Sequence, residues 1–245
     1  MEAGSEPVRV PQTAMIMAAG LGSRMMPLTA TRPKPLVEIA GTTLLDHVLD
    51  QVRAAGIGRI VVNVHYRADQ IEAHLRAHAG DLAVTISDER ALLRDTGGGL
   101  IQAIELIPDD PFYCINADNW WVDGKDNALV RMARAWDPAK MDVLMLVVPL
   151  ARAGNTQGQG DFDLDGEGRL SRDGPKQPRG YVWTGVQLLA KRVVTDPPED
   201  VFSTNVFWDR AIAAGRCHGL VHEGSWFDVG YPAAIALTEA ALSGG

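Results

Sequence analysis

The chain has 245 residues, enough for one large domain or a domain with a small subdomain. Apolar residues make up 46% and charged residues 22%, as in soluble globular proteins, and no apolar run approaches the roughly 18–20 residues of a membrane span. Acidic residues outnumber basic ones 31 to 23, and the formal charge of −8 excludes bulk attraction to nucleic acid.

Met1–Gln12 carries Glu2 and Glu6 and lacks both a basic start and an apolar stretch, so it reads as a loose tail and not as a secretory signal. Ala14–Ala18 is the first strand-like run. Thr42 or Thr43 caps a helix whose apolar residues Leu44, Leu45, Val48, Leu49 and Val52 share one face, with Gly56 as its stop. Arg59–His65 is β-rich, Asp69–His78 is amphipathic through Ile71 and Leu75, and Leu82–Ser87 alternates as a strand does. Gly99–Ile107 reads as a helix and Phe112–Asn116 as a strand that runs into Asp118. Ala128–Trp136 is helical and Met141–Pro149 is a buried strand. Residues 151–180 are rich in Gly, Asp and Arg; Tyr181–Leu189 returns to strand character. Asn205–Ala214 is helical, Cys217–His222 extended, and Pro232–Leu242 a last helix with Pro near its start.

Alternating strands and helices predict an α/β fold: a Rossmann-like, mostly parallel mixed sheet with helices on both faces. Residues 151–225 read as strands and loops added to one side of that sheet. Cys114 and Cys217 make no disulfide framework and suit a reducing cytoplasm.

The sharpest local feature follows the first strand: Met17-Ala18-Ala19-Gly20-Leu21-Gly22-Ser23-Arg24. Small residues there let successive N–H groups converge on phosphate oxygens. A dinucleotide fingerprint would need a third glycine where this chain has Met25, and no Walker lysine pattern is present. Arg24 and Lys34 supply cations, and Pro33 and Pro35 stiffen the backbone around Lys34. Amides, a guanidinium and an ammonium together suit a polyphosphate.

This stretch, with Pro27-Leu28-Thr29 and Arg32-Pro33-Lys34-Pro35-Leu36, closely resembles the signature of the sugar-1-phosphate nucleotidyltransferases. The resemblance covers nearly the whole chain. It implies that Ala18, Ala19, Gly20, Gly22 and Ser23 wrap a nucleotide, that Arg24 steadies the leaving pyrophosphate, and that Lys34 meets the reacting phosphates. Asp118 in Asn116-Ala117-Asp118 and Asp228 in Trp226-Phe227-Asp228-Val229-Gly230 match the family's two metal-binding carboxylates. The resemblance thus implies Mg²⁺, a hard cation that takes one or two carboxylates plus substrate phosphates. Tyr231 stands where the family commonly has Thr, and no role passes to it.

Asp95-Thr96-Gly97-Gly98-Gly99 reads as a glycine-rich turn before a helix, and resembles the segment with which the N-acetylmuramate-1-phosphate uridylyltransferases hold uridine, with Asp95 in place of Glu. The resemblance assigns Thr96 and Gly98 to the nucleotide. Gly160-Asp161 and Thr184-Gly185 resemble the same group's sugar segments. Tyr181-Val182-Trp183 replaces the E-K pair of the glucose-1-phosphate enzymes.

The expectation is a cytoplasmic, Mg²⁺-dependent enzyme forming a nucleotide sugar and pyrophosphate, a monomer or small homo-oligomer without nucleic-acid or membrane partners. UTP and N-acetylmuramate 1-phosphate are favoured, in peptidoglycan recycling; guanylyl, cytidylyl or thymidylyl transfer to another phosphorylated substrate is the alternative. One domain is expected over residues 13–245, its nucleotide part about 13–150 and its sugar part about 151–230, without the C-terminal β-helix or acyltransferase domain of larger relatives. His74 and His78, four apart on one helix face without the zincin Glu, read as a solvated face. Trp120-Trp121 suits packing at least as well as lining a site.

Overall fold

The computed structural model describes residues 9–172 and 178–244. Residues 1–8 of the expected tail lie outside them.

Strand β1 (Thr13–Met17) is almost wholly buried, which is why its apolar run is continuous and does not alternate. A short hairpin, β2 (Glu38–Ile39) and β3 (Thr42–Thr43), leads into α1 (Leu44–Ala54). Thr43 caps this helix, its hydroxyl accepting the Asp46 N–H at 3.0 Å. The chain leaves the helix past Gly56, at φ +74°, where a side chain would be strained. β4 (Arg59–Val64), α2 (Ala68–His78) and β5 (Ala83–Asp88) extend the alternation. α3 (Asp95–Ala103) precedes β6 (Phe112–Asn116), β7 (Trp120–Val122) and α4 (Ala128–Ala135), which is capped by Asn127. Next come β8 (Val143–Pro149), the short strands β9 (Ala153–Gly154), β10 (Asp163–Leu164) and β11 (Leu170–Ser171), and the long β12 (Tyr181–Leu189). α5 (Asn205–Ala213), β13 (Cys217–Val221), β14 (Ser225–Phe227) and α6 (Ala233–Ser243) close the chain.

The main sheet has seven strands among the described residues, in the order β13-β8-β12-β6-β1-β4-β5. β12 runs antiparallel to both its neighbours and every other pairing is parallel. On one face α1, α2 and α4 bury Leu45, Val48, Ile71, Leu75, Leu129 and Met132 against Ile16, Val62 and Ile115. On the other, α3 and α5 bury Leu100, Ala103, Phe207 and Ala211 against Met15, Val61 and Cys114. Truncating one of these leucines to alanine costs about 2–5 kcal/mol. A third cluster joins Met25, Leu44, Trp120 and Val229, with Ile235 and Leu242 of α6 packed on it.

Two readings of the sequence need correction. β12 is not added at a side of the sheet; it sits in the middle, between β6 and β8. Its nine residues are nearly all buried, so both backbone edges need ladder partners. The second glycine-rich run is not a turn before a helix either: α3 starts at Asp95 and Gly97, Gly98 and Gly99 lie inside it. They are glycines because neighbours press close. A Cβ at Gly97 would meet the Phe202 ring at 2.5 Å, one at Gly98 the Asp200 carbonyl oxygen at 2.4 Å, and one at Gly99 the Glu89 carboxylate at 2.7 Å.

Candidate active site

Two strand registers bring the predicted carboxylates to the glycine loop. β1 and β6 are parallel neighbours with Met17 opposite Asn116, and the Ala117 N–H donates to the Met17 carbonyl at 3.0 Å. Asp118 therefore leaves β6 beside Ala18, Ala19 and Gly20, at the carboxyl edge where open α/β sheets bind ligands. β7, just beyond Asp118, pairs antiparallel with β14, Trp120 opposite Phe227. That places Asp228 across from Asn119, one residue from Asp118. β9 anchors β14 from its other side, with the Asp228 N–H donating to the Gly154 carbonyl at 2.8 Å.

The loop folds over this edge. Gly22, at φ +65°, lies against Thr29 and Lys34, so a Cβ there would meet the Thr29 methyl at 3.0 Å and Lys34 Cβ at 3.1 Å. Its carbonyl accepts the Thr29 hydroxyl at 2.8 Å and the Met25 N–H at 2.9 Å. A cavity of about 270 Å³ is lined here by Gly20, Gly22, Ser23, Arg24, Lys34, Asp118 and Gly230. Lys34 Nζ lies 2.6 Å from Asp118 Oδ2, with the lysine side chain 11% and the aspartate side chain 33% exposed. Asp228 Oδ1 accepts the Gly230 N–H at 2.8 Å, and Gly230 is the floor under Arg24: a Cβ there would lie 3.2 Å from Arg24 Nη1. Arg24, Lys34, Asp118 and Asp228 also share the wall of a wider cavity, of about 610 Å³. Two carboxylates beside two cations form an all-oxygen donor set suited to a hard divalent ion, with positive groups for phosphate oxygens around it.

A cavity of about 430 Å³ opens from the other side of the loop, between Ala19, Gly20, Asn63, Glu89, Leu93, Thr96, Asn116 and Val201. Its floor is a polar relay that the sequence reading missed. Asn63 Oδ1 accepts the Ala18 N–H at 2.7 Å, and Asn63 Nδ2 donates to Glu89 Oε1 at 2.7 Å. Glu89 is 1% exposed, and its other oxygen accepts the Arg94 N–H at 3.1 Å. No motif marks Asn63 or Glu89; an acidic residue two before Ala91-Leu92 is an ordinary surface signal in a sequence. Thr96 lines this cavity; Gly98 lies further into α3, where its N–H donates to the Phe202 carbonyl at 3.1 Å.

The sugar-segment residues meet on the far wall of the 610 Å³ cavity, where Asp161, Thr184 and Gly185 lie with Asn119 and Trp183. Gly160 lies beside them in an adjoining cavity of about 790 Å³, with Arg172 and Arg179. Asp161 Oδ2 accepts the Trp183 N–H at 2.9 Å. Desolvation pushes the Asp161 carboxyl above its usual value, and the Asp228 charge adds to this, against the Trp183 N–H and Arg172. The Thr184 hydroxyl does not face the cavity; it donates to the Leu146 carbonyl at 2.8 Å inside the sheet. Gly185 sits in the β12 bulge at φ +83°, with Asn119 Nδ2 2.5 Å from where a Cβ would be. Asn119 Nδ2 is buried without a hydrogen-bond partner among the described residues, another polar group the sequence did not single out. Trp120 and Trp121 are packing residues, Trp120 stacking on His47 at 4.1 Å.

The Nucleotidyl transferase family model matches residues 13–243. The chain is 40% identical over 238 residues to the N-acetylmuramate alpha-1-phosphate uridylyltransferase of Caulobacter vibrioides, covering 96% of this chain and 98% of that protein. It is 25% identical over 228 residues to the mannose-1-phosphate guanylyltransferase of Mycobacterium tuberculosis, 89% of this chain and 61% of that one. Among solved structures, HddC from Yersinia pseudotuberculosis complexed with GMP-PN superposes with a TM-score of 0.75 at 22% identity, covering 94% and 99% of the two chains. UDP-glucose pyrophosphorylase complexed with UDP-glucose gives 0.75 at 16% identity, covering 96% and 99%. These two likenesses are of fold.

Proposed function

The chain belongs to the nucleotidyl transferase family, and from that premise we propose that it transfers the uridylyl group of UTP to N-acetylmuramate 1-phosphate, releasing pyrophosphate. The observation that carries the reaction class is the meeting of Arg24, Lys34, Asp118 and Asp228 on one cavity. The full-length likeness to a uridylyltransferase supports the substrate pair.

In this reading a sugar-phosphate oxygen attacks the α-phosphorus in line; a P–O bond forms, the bond to the β-phosphate breaks, and the electron pair leaves with pyrophosphate. A phosphate monoester is already close to a dianion at neutral pH, its second pKa being about 6, so no side chain need remove a proton. The amides of the Gly20–Ser23 loop and the Arg24 guanidinium hold the β- and γ-phosphates. Lys34 exchanges its contact with Asp118 for the α-phosphate and offsets charge gathering there. Asp118 and Asp228 hold Mg²⁺, which when bound supplies charge neutralisation and alignment of the phosphates. Thr96 and the Asn63–Glu89 relay face the base, while Asp161, Gly160 and Gly185 shape the sugar wall. Arg172, which lines the adjoining cavity and is held there by Asp209 and Asn205, is the cation that a lactyl carboxylate meets on that side. The setting proposed is cytoplasmic peptidoglycan recycling; among the described residues no helix is long and apolar enough to cross a membrane.

Pyrophosphate release over a matrix of triphosphates and sugar 1-phosphates, with and without Mg²⁺, is the test. UTP with N-acetylmuramate 1-phosphate should give the highest kcat/KM, and Asp118→Ala should lower it by roughly 10³-fold with nucleotide binding kept. Guanylyl, cytidylyl or thymidylyl transfer at a higher kcat/KM would replace the substrate reading. An unchanged rate in Asp118→Ala would remove that residue from the mechanism.

A further inference from the structure

We propose that Asp46, His74 and His78 form a binding site for a divalent transition-metal ion of the zinc type, separate from the nucleotide cleft. Asp46 lies in the first turn of α1, and His74 and His78 lie four residues apart near the end of α2, on one helix face. The packing of α1 beside α2 brings the three together, which the sequence reading of a solvated histidine pair did not anticipate. None of the three lines the cavities described above.

His74 Nε2 lies 2.7 Å and His78 Nδ1 3.5 Å from the same atom, Asp46 Oδ1, and all three ligand atoms fall within 4.8 Å of one another. Ligands about 2.0–2.1 Å from a tetrahedral ion stand roughly 3.3 Å apart, so the two observed separations bracket the required one. The carboxylate is already oriented: the Thr43 hydroxyl donates to Asp46 Oδ2 at 2.7 Å, which turns Oδ1 to the histidines, and an ion would replace the hydrogen bond between Oδ1 and His74 Nε2. The His74 side chain is 13% exposed and held in place, whereas that of His78 is 52% exposed, so its ring can swing and its side of the site is open to an entering ion and a water ligand. The imidazoles stack with centroids 4.1 Å apart, which holds the two rings side by side over the carboxylate.

Two imidazole nitrogens and one carboxylate oxygen suit zinc, cobalt or nickel and disfavour magnesium, which prefers oxygen alone. The chain then presents two metal sites of opposite chemical hardness. An ion here would pin the start of α1 to the end of α2 and stabilise the fold without touching the reaction.

The test is calorimetric titration of the full chain with Zn²⁺ in millimolar Mg²⁺, with Co²⁺ absorption as a second reading. The expected result is a single equivalent bound with a dissociation constant on the order of micromolar, together with a rise in the thermal midpoint. His78→Ala, at an exposed position, should stay folded, keep its Mg²⁺-supported activity and lose zinc affinity about tenfold or more. Asp228→Asn should bind zinc as the parent does. Absence of zinc binding, equal binding by His78→Ala, or binding lost in Asp228→Asn but kept in His78→Ala would each overturn the proposal.

Discussion

Gly230 shows how a single missing Cβ organises the charged cluster. Asp228 Oδ1 accepts its N–H, and Arg24 Nη1 lies where an added carbon would come within 3.2 Å, with Asp228 Oδ1 at 2.8 Å. Gly230→Ala should therefore push the carboxylate and the guanidinium apart while leaving the core intact. We expect kcat to fall about 10–100-fold, since displacements of an ångström are enough for that, with the thermal midpoint little changed. Steady-state kinetics beside a melting curve decide it; equal activity would mean that the cluster tolerates a shift that the geometry says it should not. Lys34 is the contrasting residue. Its position was legible, because prolines flank it, but its partner was not: the 2.6 Å contact with Asp118 spans 84 residues of chain.

Among the elements, α3 is the one whose composition differs most from the structure it adopts. Three consecutive glycines disfavour a helix by about 1 kcal/mol each relative to alanine, so their composition signals a turn. Tertiary contacts override that propensity, because Phe202, Asp200 and Glu89 approach too closely for any side chain. Gly99→Ala is the informative variant. Alanine is the better helix former, yet its Cβ would stand 2.7 Å from Glu89 Oε1 and 3.0 Å from Asn63 Nδ2, both buried and hydrogen-bonded to each other. Because Asn63 also holds the Ala18 N–H, the strain should travel to the glycine loop. We expect a lower thermal midpoint and a raised KM for the nucleoside triphosphate; a stabilised protein with unchanged KM would show that the relay has slack.

For the molecule as a whole, three enclosed histidines set the response to acid. Burial lowers the pKa of His47, His218 and His222 below the ordinary 6.5. His47 Nε2 accepts the Trp121 N–H, and the His222 Nε2 faces the Val122 and Ser225 carbonyls, so one ring nitrogen of each is committed. The unfolded chain takes up protons near pH 6.5 that the folded one refuses. Stability should therefore be full above that pH and decline as the pH falls below it, until the folded histidines also titrate. Thermal midpoints measured from about pH 7.5 down to about 5.5 should fall, and His222→Asn should flatten the slope. A parallel shift at every pH would instead mean that His222 acts only through packing.

The local chemistry was written in short stretches of chain: the phosphate loop in the eight residues Met17–Arg24, the helix of Leu44–Ala54 in its one apolar face, and Asp118 at the end of its strand. Those features depend on neighbours close in sequence, so periodicity and spacing expose them. The meeting of Asp228 with Asp118 was implied by resemblance to a family and by no local pattern, while the Asn63–Glu89 floor, the central place of Tyr181–Leu189 and the joining of Asp46 to the two histidines were decided only by the folded chain. Each depends on strand register or helix packing between segments tens of residues apart, and register is fixed by what both faces of the sheet bury together and not by either segment alone.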